Sequence, residues 1–253
     1  MKNSKVVNFL AIIEGRNPII EALKNNRSIE KIMVNKASKE GSIKKILAMA
    51  KEKKVIIQEV DRHKLDEMSE SHAHQGVIAI TSDYRYYDLD EILEIPKERG
   101  EDPFFIILDG ITDPHNLGSI IRTADAVGAH AVIIPKRRSV QITPIVAKAS
   151  AGAVEYLPVC KVTNIVNTIK TLKENGLWIA AVDMDGQTFY KQNLGGPLGL
   201  VVGSEGEGIS RLVKQNCDFT VSMPMSGNVT SLNASVAGGI LLYEVYRQRN
   251  ASK

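Results

Sequence analysis

Three polar segments of the sequence carry residue types that could bind a nucleotide or a ribose. In the first, residues 109–129, a predicted strand ends in a polar turn and a helix is predicted to begin near Asn116. This helix would hold Asn116 and Arg122 less than two turns apart. A helix N-terminus of this kind is suited to a phosphate or a ribose. The spacing is equally compatible with Asn116 as a helix N-cap and Arg122 as a surface residue.

The second segment, residues 198–209, is a predicted strand followed by a loop that contains Gly203, Gly206 and Gly208. Glycines allow the backbone to approach a bound nucleotide closely. The loop lacks the Lys-Ser or Lys-Thr pair of a Walker loop, and its spacing is not the G-x-G-x-x-G of dinucleotide-binding folds. A purely structural turn explains the loop equally well.

The third segment, residues 222–242, is a loop rich in Gly, Ser and Asn that leads into a predicted helix. Ser231, Asn233 and Ser235 lie in the first turns of this helix, and Gly238 and Gly239 follow along its body. A glycine in the middle of a helix costs about 1 kcal/mol relative to alanine. We therefore expect another backbone to pack closely against this helix, in the core or across a subunit interface.

Uniformly apolar runs predict the strands that must position these segments. The runs lie at residues 104–108, 131–134, 177–182, 198–202 and 219–221. Runs of this kind are typical of the inner strands of a parallel sheet that is covered by helices on both faces. Ligands of such sheets bind beyond the carboxyl ends of the strands, which is where the polar segments lie.

The N-terminal part predicts a separate small α/β unit. Strands are predicted at residues 29–34, 55–60 and 76–81, and a helix at 43–53. Another helix would have Pro18 at its first position and Asn17 as its cap. Residues 1–82 hold 15 basic and 10 acidic side chains, residues 83–102 hold 3 and 8, and residues 103–253 hold 14 and 11. We therefore predict two basic domains, residues 1–82 and 103–253, joined by an acidic linker, residues 83–102.

The composition argues against several classes of protein. Cys160 and Cys217 lie far apart and have no Cys or His at metal-ligand spacing, so we expect neither a metal site nor a disulfide framework. No apolar run reaches the roughly 18 to 20 residues needed to cross a bilayer. The polar start of the chain, residues 1–8, is unlike a signal peptide. We expect a cytoplasmic protein with no membrane partner.

In order and separation, the three segments resemble the SpoU family of RNA ribose methyltransferases, part of the SPOUT class. The motifs are N-x-G-x-x-x-R-x-A-x-x-x-G at residues 116–128, V-G-S-E-G-x-G at 202–208, and M-P-M-x-G followed by S-L-N-x-S at 223–235. Residues 13–23 and 74–79 resemble the substrate-binding domain of members that methylate a guanosine of bacterial 23S ribosomal RNA.

The resemblance implies a fold and an activity that periodicity alone does not give. The fold would be α/β, with a parallel sheet that ends in a C-terminal trefoil knot and a preceding small domain similar to L30e. The enzyme would use S-adenosylmethionine to methylate a ribose 2′-hydroxyl, act on ribosomal RNA as a homodimer, and require no metal. Residues 1–82 would bind RNA, and residues 103–253 would be the catalytic domain.

The resemblance also implies roles for individual residues. Arg122 and Asn116 would address the ribose and its phosphate, Glu205 would brace the site, and Ser231 and Asn233 would orient the cofactor or the ribose. Contacts to the cofactor would come from Val202, Gly203, Ser204, Gly208, Met223, Pro224, Met225 and Leu232. The RNA-binding candidates are Arg16, Asn17, Lys44 and Lys45. Met223 stands where the family commonly has Ile, and Ala234 where it commonly has Val; neither change should alter the chemistry.

The proton acceptor for this reaction is not obvious from the sequence. A guanidinium stays protonated near neutrality, so Arg122 is a poor base. We therefore expect Arg122 to hold the phosphate and polarise the hydroxyl, with the phosphate or a neighbouring subunit aiding deprotonation. His115 is a candidate base, but it belongs to none of the motifs above.

Four alternatives remain open at this stage. Within the family, the chain could be a transfer-RNA ribose methyltransferase or an enzyme that confers antibiotic resistance by methylating an adenosine of ribosomal RNA. A catalytically silent RNA-binding module would not need the intact set of polar site residues. A nicotinamide-dependent oxidoreductase is disfavoured because the turn after residues 104–108 lacks the expected glycine spacing.

Overall fold

The computed structural model describes residues 11–24, 29–38, 40–69, 73–81, 84–228 and 231–251. The chain divides into two compact units, Met1–Arg85 and Tyr86–Lys253. No helix among the described residues is long and apolar enough to cross a membrane.

The first unit is a four-stranded sheet with three helices. Its elements are β1 (Ala11–Glu14), α1 (Arg16–Lys24), β2 (Ile29–Asn35), α2 (Ser42–Glu52), β3 (Ile56–Val60), α3 (Arg62–Met68) and β4 (Val77–Thr81). The strand order is β1-β4-β2-β3, with only the β2–β3 pair parallel. Ile19, Ile32, Ile43 and Ile46 are fully buried between the helices and the sheet.

The predicted strands and the predicted second helix of this unit are confirmed to within one residue at each end. The predicted cap is wrong. Helix α1 begins at Arg16, so Asn17 lies inside its first turn. Gly15, at φ +88°, turns the chain from β1 directly into the helix, which leaves no extended residue at position 17 to act as a cap.

The second unit is built on a parallel sheet, as predicted, but the sheet has six strands, because a strand at Val159–Val162 adds to the five predicted runs. Its elements are α4 (Leu89–Arg99), β5 (Phe104–Asp109), α5 (Pro114–Ala126), β6 (Ala131–Pro135), α6 (Pro144–Ala149), β7 (Val159–Val162), α7 (Ile165–Glu174), β8 (Trp178–Thr188), β9 (Leu198–Gly203), α8 (Arg211–Asn216), β10 (Phe219–Ser222) and α9 (Ala234–Asn250). The strand order is β10-β8-β9-β5-β6-β7, and every neighbouring pair is parallel.

Helices cover both faces of this sheet because alternate strand residues point to opposite sides. Phe105 and Ile107 of β5 belong to one buried cluster, together with apolar side chains of α4, α7 and α8. On the other face, Gly238 of α9 lies against Val202 of β9 and Ile120 of α5. The central strands are therefore buried from both sides, which explains their uniformly apolar sequence.

The acidic segment at residues 83–102 is not a linker. Most of it forms α4, whose Ile92 and Leu93 are buried in the core of the second unit. The acidic residues lie on the exposed side of this amphipathic helix, and Glu91 accepts a hydrogen bond from the backbone N–H of Asp88 at 2.8 Å. The charge pattern therefore marks a solvent-facing helix surface, and the second unit begins at Tyr86.

Close packing explains Gly118 of the first motif but not the glycines of α9. A Cβ placed on Gly118 would lie 2.5 Å from the Cβ of Ala149 and 2.8 Å from the carbonyl oxygen of Val146, so α5 and α6 touch at this point. A Cβ on Gly238 or Gly239 would meet no described atom closer than 3.8 or 3.9 Å. The close backbone expected beside these two glycines is therefore not found within the described part of one chain.

These distances predict different effects for two substitutions of helical glycines. We expect Gly118→Ala to lower the free energy of unfolding by about 1–3 kcal/mol, because overpacking outweighs the gain in helix propensity. Gly238→Ala, the matched control, should leave stability unchanged or raise it by up to about 1 kcal/mol. Urea denaturation followed by circular dichroism measures both values. A Gly118→Ala variant as stable as the wild type would contradict the packing described here.

Candidate functional site

One carboxylate joins three loops at the carboxyl ends of β5, β9 and β10. Oε1 of Glu205 accepts a hydrogen bond from Nδ2 of Asn116 at 2.7 Å and another from Nδ2 of Asn233. Nδ2 of Asn233 also donates to Oδ1 of Asn116 at 3.0 Å. Because these residues lie in the three segments that carry the sequence motifs, the network fixes the segments relative to one another.

Helix geometry orients the two asparagines of this network. Asn233 is the N-cap of α9, and its Oδ1 accepts hydrogen bonds from the N–H groups of Ser235 at 3.0 Å and Val236 at 3.3 Å. Its Nδ2 is thereby turned towards Glu205. Asn116 is not an N-cap: helix α5 begins at Pro114, Asp113 is its cap, and Asn116 is 8% exposed in the first turn. The helix thus starts two residues earlier than predicted.

The glycines of the second motif fold the loop after β9 back on itself. A Cβ on Gly203 would lie 2.2 Å from the carbonyl carbon of Gly208, so no larger residue fits there without a backbone shift. Ser204 and Gly208 exchange two backbone hydrogen bonds, of 3.1 and 3.0 Å. Gly206 and Gly208 have φ values of +86° and +67°, which favour glycine. This closed turn presents the Glu205 side chain to both asparagines.

A cavity of about 430 Å³ lies beside this turn. Of the residues predicted to bind the cofactor, it is lined by Val202, Gly203, Ser204, Gly208, Met223, Met225 and Leu232; Pro224 does not line it. Glu205 and Ser231 also line the cavity, whereas Asn116 and Asn233 reach it only through Glu205. Ser231 precedes α9 and is not in its first turn as predicted.

The walls of this cavity combine apolar side chains with negative charge. Asp183, Glu205 and Glu207 line it, and none of its described lining residues is Lys, Arg or His. Methionine, leucine, valine and alanine side chains supply the rest of the surface, apart from two serines and three glycines. Such a cavity favours a ligand that carries a positive charge and an apolar or aromatic part.

One wall of the cavity comes from a segment that the sequence motifs did not predict. Strand β8 pairs with β10 through Ala181 and again through Gln187, while residues 182–186 bulge away from the sheet. Val182, Asp183 and Met184 in this bulge line the cavity. No periodicity in the sequence indicates a bulge, because its position depends on how β8 and β10 align.

Lys214 of α8 holds this bulge in place through two ion pairs. Its Nζ lies 2.7 Å from Oδ2 of Asp183 and 2.8 Å from both carboxylate oxygens of Asp185. Burial alone would raise the pKa of Asp183, but hydrogen bonds from Lys214 and from the N–H of Met184 bring it below its ordinary value. Asp183 therefore stays ionised at the cavity wall at neutral pH.

Arg122 lies outside this cavity. It is exposed on α5, and its side chain makes no hydrogen bond or ion pair with any residue in the described ranges. Asn116 and Arg122 are six positions apart on the helix, so they point to different sides. His115 is also exposed and does not line the cavity. A single chain therefore brings together Glu205, Asn116, Asn233 and Ser231, but not Arg122.

The RNA-binding candidates lie on the first unit. Arg16 donates from Nε to the carbonyl oxygen of Gln75 at 3.2 Å and lines a polar pocket of about 420 Å³. Asn17 is exposed in α1, and Lys44 and Lys45 are exposed on α2. Asn17, Lys44 and Lys45 are therefore accessible to a polyanion.

Neither cysteine is suited to redox or nucleophilic chemistry. Both thiols are free, and burial raises the pKa of Cys160 and of Cys217 to about 12. Thiols with such a pKa are protonated and unreactive at neutral pH. Among the described residues, no group of three or more His, Cys, Asp or Glu side chains is arranged to hold a metal ion.

Comparisons with known proteins agree with the motifs. The model of the SpoU rRNA Methylase family matches residues 103–243, and the model for RNA 2′-O ribose methyltransferase substrate binding matches residues 12–87. The Bacillus subtilis protein YacO, named as a TrmH family tRNA/rRNA methyltransferase, is 49% identical over 237 residues, which are 93% of this chain and 95% of YacO.

Solved structures of methyltransferases share the fold. The SpoU methyltransferase AviRb from Streptomyces viridochromogenes, solved with the cofactor AdoMet, is 26% identical and has a TM-score of 0.60, with 96% of this chain and 91% of AviRb covered. A TrmH/SpoU tRNA modifying enzyme from A. aeolicus is 29% identical and has a TM-score of 0.55, with 65% of this chain and 83% of that one covered. The chain therefore belongs to the SpoU rRNA Methylase family, and it is an RNA methyltransferase of the SpoU/TrmH type.

Proposed function

We propose that this chain transfers a methyl group from S-adenosylmethionine to a ribose 2′-hydroxyl of RNA, and that the target is a guanosine of bacterial 23S ribosomal RNA. The observation that carries the proposal is the cavity of about 430 Å³ beside the Asn116–Glu205–Asn233 network. The cavity can hold a cationic ligand, and the network beside it consists of side chains that can hold a sugar.

The charge of the cavity fits S-adenosylmethionine. This molecule carries a sulfonium and an ammonium against one carboxylate, so its net charge is positive. Glu205 and Glu207 face it with negative charge, whereas Asp183 is paired with Lys214. Met223, Met225 and Leu232 provide the apolar surface that an adenine ring requires. A nicotinamide dinucleotide carries a negative pyrophosphate, which these carboxylates would repel. The same residues therefore argue against an oxidoreductase.

The bound cofactor supplies an electrophilic methyl group, and the side chains of this chain must align the acceptor. In a direct displacement, the attacking oxygen, the methyl carbon and the sulfur lie in line, so positioning of the ribose is the main requirement. Glu205, held on Oε1 by both asparagines, braces the loop that borders the cavity, and Ser231 lies at the cavity wall for the cofactor or the ribose. No metal takes part in this scheme.

Arg122 enters this scheme from a second copy of the chain. Its exposure on α5 and its lack of any partner among the described residues support a role at a neighbouring protomer. There it would hold the substrate phosphate and polarise the 2′-hydroxyl. A guanidinium remains protonated, so the phosphate is the better proton acceptor.

An apolar stripe on α9 supports a homodimer. Val236, Ile240 and Tyr243 are 49%, 40% and 55% exposed, and their spacing of four and three residues places them on one side of the helix. Exposed apolar stripes of this kind are covered in protein interfaces.

A trefoil knot in the second unit and an L30e-like fold for the first are parts of this proposal. The close passage of Gly186 over β10 supports the knot: a Cβ there would lie 2.5 Å from the carbonyl carbon of Thr220. Ser222 donates a hydrogen bond from Oγ to the carbonyl oxygen of Gly186 at 2.7 Å. In a trefoil knot, one segment of the chain passes through a loop formed by another segment. The two segments must then pack with almost no space between them.

The matched family models support ribosomal RNA as the substrate and the first unit as its binding domain. The SpoU rRNA Methylase model matches residues 103–243, and the RNA 2′-O ribose methyltransferase substrate-binding model matches residues 12–87. We assign target selection to residues 1–82, with Arg16, Asn17, Lys44 and Lys45 contacting phosphates, and catalysis to residues 103–253. The protein would act in the cytoplasm, where ribosomal RNA is found. A transfer-RNA ribose or an adenosine of ribosomal RNA is the alternative target.

The first experiment combines methylation with cofactor binding. Purified protein and S-adenosylmethionine are added to 23S ribosomal RNA from cells that lack the protein, and ribose methylation is mapped. We expect one new 2′-O-methylguanosine. Arg122→Ala should bind the cofactor within about twofold of the wild type but lose about 100-fold or more in turnover. Arg99→Ala, an exposed control, should behave as the wild type. Near-normal turnover of Arg122→Ala would refute its role.

Mixed dimers test whether Arg122 acts at the partner's site. After subunit exchange between equal amounts of Arg122→Ala and Glu205→Ala proteins, half of the dimers carry both changes. If Arg122 acts across the interface, one site of each such dimer is intact, and activity returns to about a quarter of the wild-type value. If Arg122 acts within its own chain, every site is defective and activity stays absent.

A further prediction concerns RNA binding by the first unit. Lys44→Gln combined with Lys45→Gln should raise KM for ribosomal RNA, and should reduce the salt slope of binding by about 1.4, because each phosphate contact contributes about 0.7. The turnover number and the affinity for S-adenosylmethionine should not change. The control combines Lys170→Gln with Lys191→Gln, two exposed lysines of the second unit. If both variants had the same salt slope, the assignment of Lys44 and Lys45 to phosphate binding would be wrong.

A further inference from the structure

A second and larger depression lies next to the candidate cofactor cavity. Its volume is about 1010 Å³, against about 430 Å³ for the cofactor cavity. It is formed by the loops that follow β5, β6, β7 and β9 and by α8, and we call it the basic groove. The groove and the cavity share Asp183, Ser204, Glu207 and Gly208 as lining residues. Whatever occupies the groove therefore lies beside the methyl donor.

Most of the positive charge of the groove comes from three arginines. Arg137, Arg138 and Arg211 line it, and all three are exposed. None of their side chains makes a hydrogen bond or ion pair with another residue in the part of the chain that the structure describes. Arg249 differs, since it donates to the backbone oxygens of Asp102, Pro103 and Gly196. No contact among the described residues therefore explains why these three positions are arginines.

The acidic side chains of the groove are mostly engaged. Oδ2 of Asp109 accepts a hydrogen bond from the N–H of Ser210 at 2.8 Å, and Asp183 is paired with Lys214 at 2.7 Å. The fourth cation of the groove, Lys214, is likewise held by Asp183 and Asp185. Asp109 and Glu207 have no ion-pair partner among the described residues, against three arginines that likewise have none. The unpaired positive side chains therefore outnumber the unpaired carboxylates.

The backbone at Arg138 is held in an unusual conformation. Its φ of +58° lies in the left-handed region that non-glycine residues rarely adopt. Such conformations persist where the surrounding structure imposes them, and they cluster at functional sites. Here the turn after β6 places two consecutive arginines at the rim of one groove.

We propose that the basic groove binds the sugar–phosphate backbone of the substrate RNA beside the methylated nucleotide. Guanidinium groups bind phosphates through paired hydrogen bonds, and Thr112 and Thr163 offer hydroxyls to a ribose. The inference rests on the proposed function, because it requires RNA as the substrate. It adds a phosphate-binding surface on the catalytic unit, separate from that assigned to residues 1–82.

The test removes the three arginines together in the full-length chain. The variant combines Arg137→Ala, Arg138→Ala and Arg211→Ala; its control combines Arg99→Ala, Lys170→Ala and Lys191→Ala, which removes the same charge from exposed positions outside the groove. The probe is 23S ribosomal RNA from cells that lack the protein. Binding is measured over a series of salt concentrations, together with KM, kcat and the affinity for S-adenosylmethionine.

We expect the groove variant to bind this RNA about tenfold or more weakly than the control, with a salt slope lower by about 2, from three contacts of about 0.7 each. Its KM should rise while kcat stays within about twofold of the wild type. Unchanged cofactor affinity shows that the variant is folded. RNA affinity and salt slope equal to those of the control would overturn the proposal.

Failure of this inference is distinguishable from failure of the proposed function. If the wild type methylates the ribosomal RNA and the groove variant behaves as the control, only the groove assignment is wrong. If the wild type methylates no ribose in this RNA, the proposed substrate is wrong, and the groove assignment falls with it.

Discussion

The site depends on one carboxylate oxygen that two asparagines share. Glu205 belongs to the loop after β9, Asn116 to the first turn of α5, and Asn233 to the start of α9, so their hydrogen bonds join parts of the chain up to 117 positions apart. Hydrogen bonds to an ionised acceptor are stronger than those between neutral groups. Without this carboxylate, two amide groups would lose their common partner, and the loops around the cavity would no longer be fixed relative to one another.

The sheet and its glycines make that arrangement possible. All six strands of the second unit are parallel, so their carboxyl ends meet at one edge, where the loops converge. Gly203 lets the loop after β9 close on itself, and Gly118 lets α5 approach α6. The result is a cavity walled by carboxylates, beside a groove that carries three free arginines. A cationic donor and an anionic acceptor would each meet the opposite charge.

The features that the sequence predicted are those that depend on short-range patterns and on motifs. Apolar runs predicted the parallel sheet, and the resemblance to the SpoU family implied Met223 and Leu232 as cofactor contacts and Glu205 as a brace of the site; all three line the cavity. Asp183 was missed because the bulge of β8 depends on its register with β10. The linker prediction failed because net charge does not report that Ile92 and Leu93 form the buried side of a helix. The sequence also did not predict that Arg122 lies outside the cavity, because residues six positions apart on a helix point to different sides.

The most direct test of the shared carboxylate is a double-mutant cycle on cofactor affinity. Calorimetry compares S-adenosylmethionine binding by the wild type, Asn116→Ala, Glu205→Ala and the combined variant. Because both side chains belong to one network, the combined loss should be smaller than the sum of the single losses, with a coupling energy of about 1–3 kcal/mol. Losses that add to within about 0.5 kcal/mol would contradict the account, since they would mean that Asn116 and Glu205 act independently.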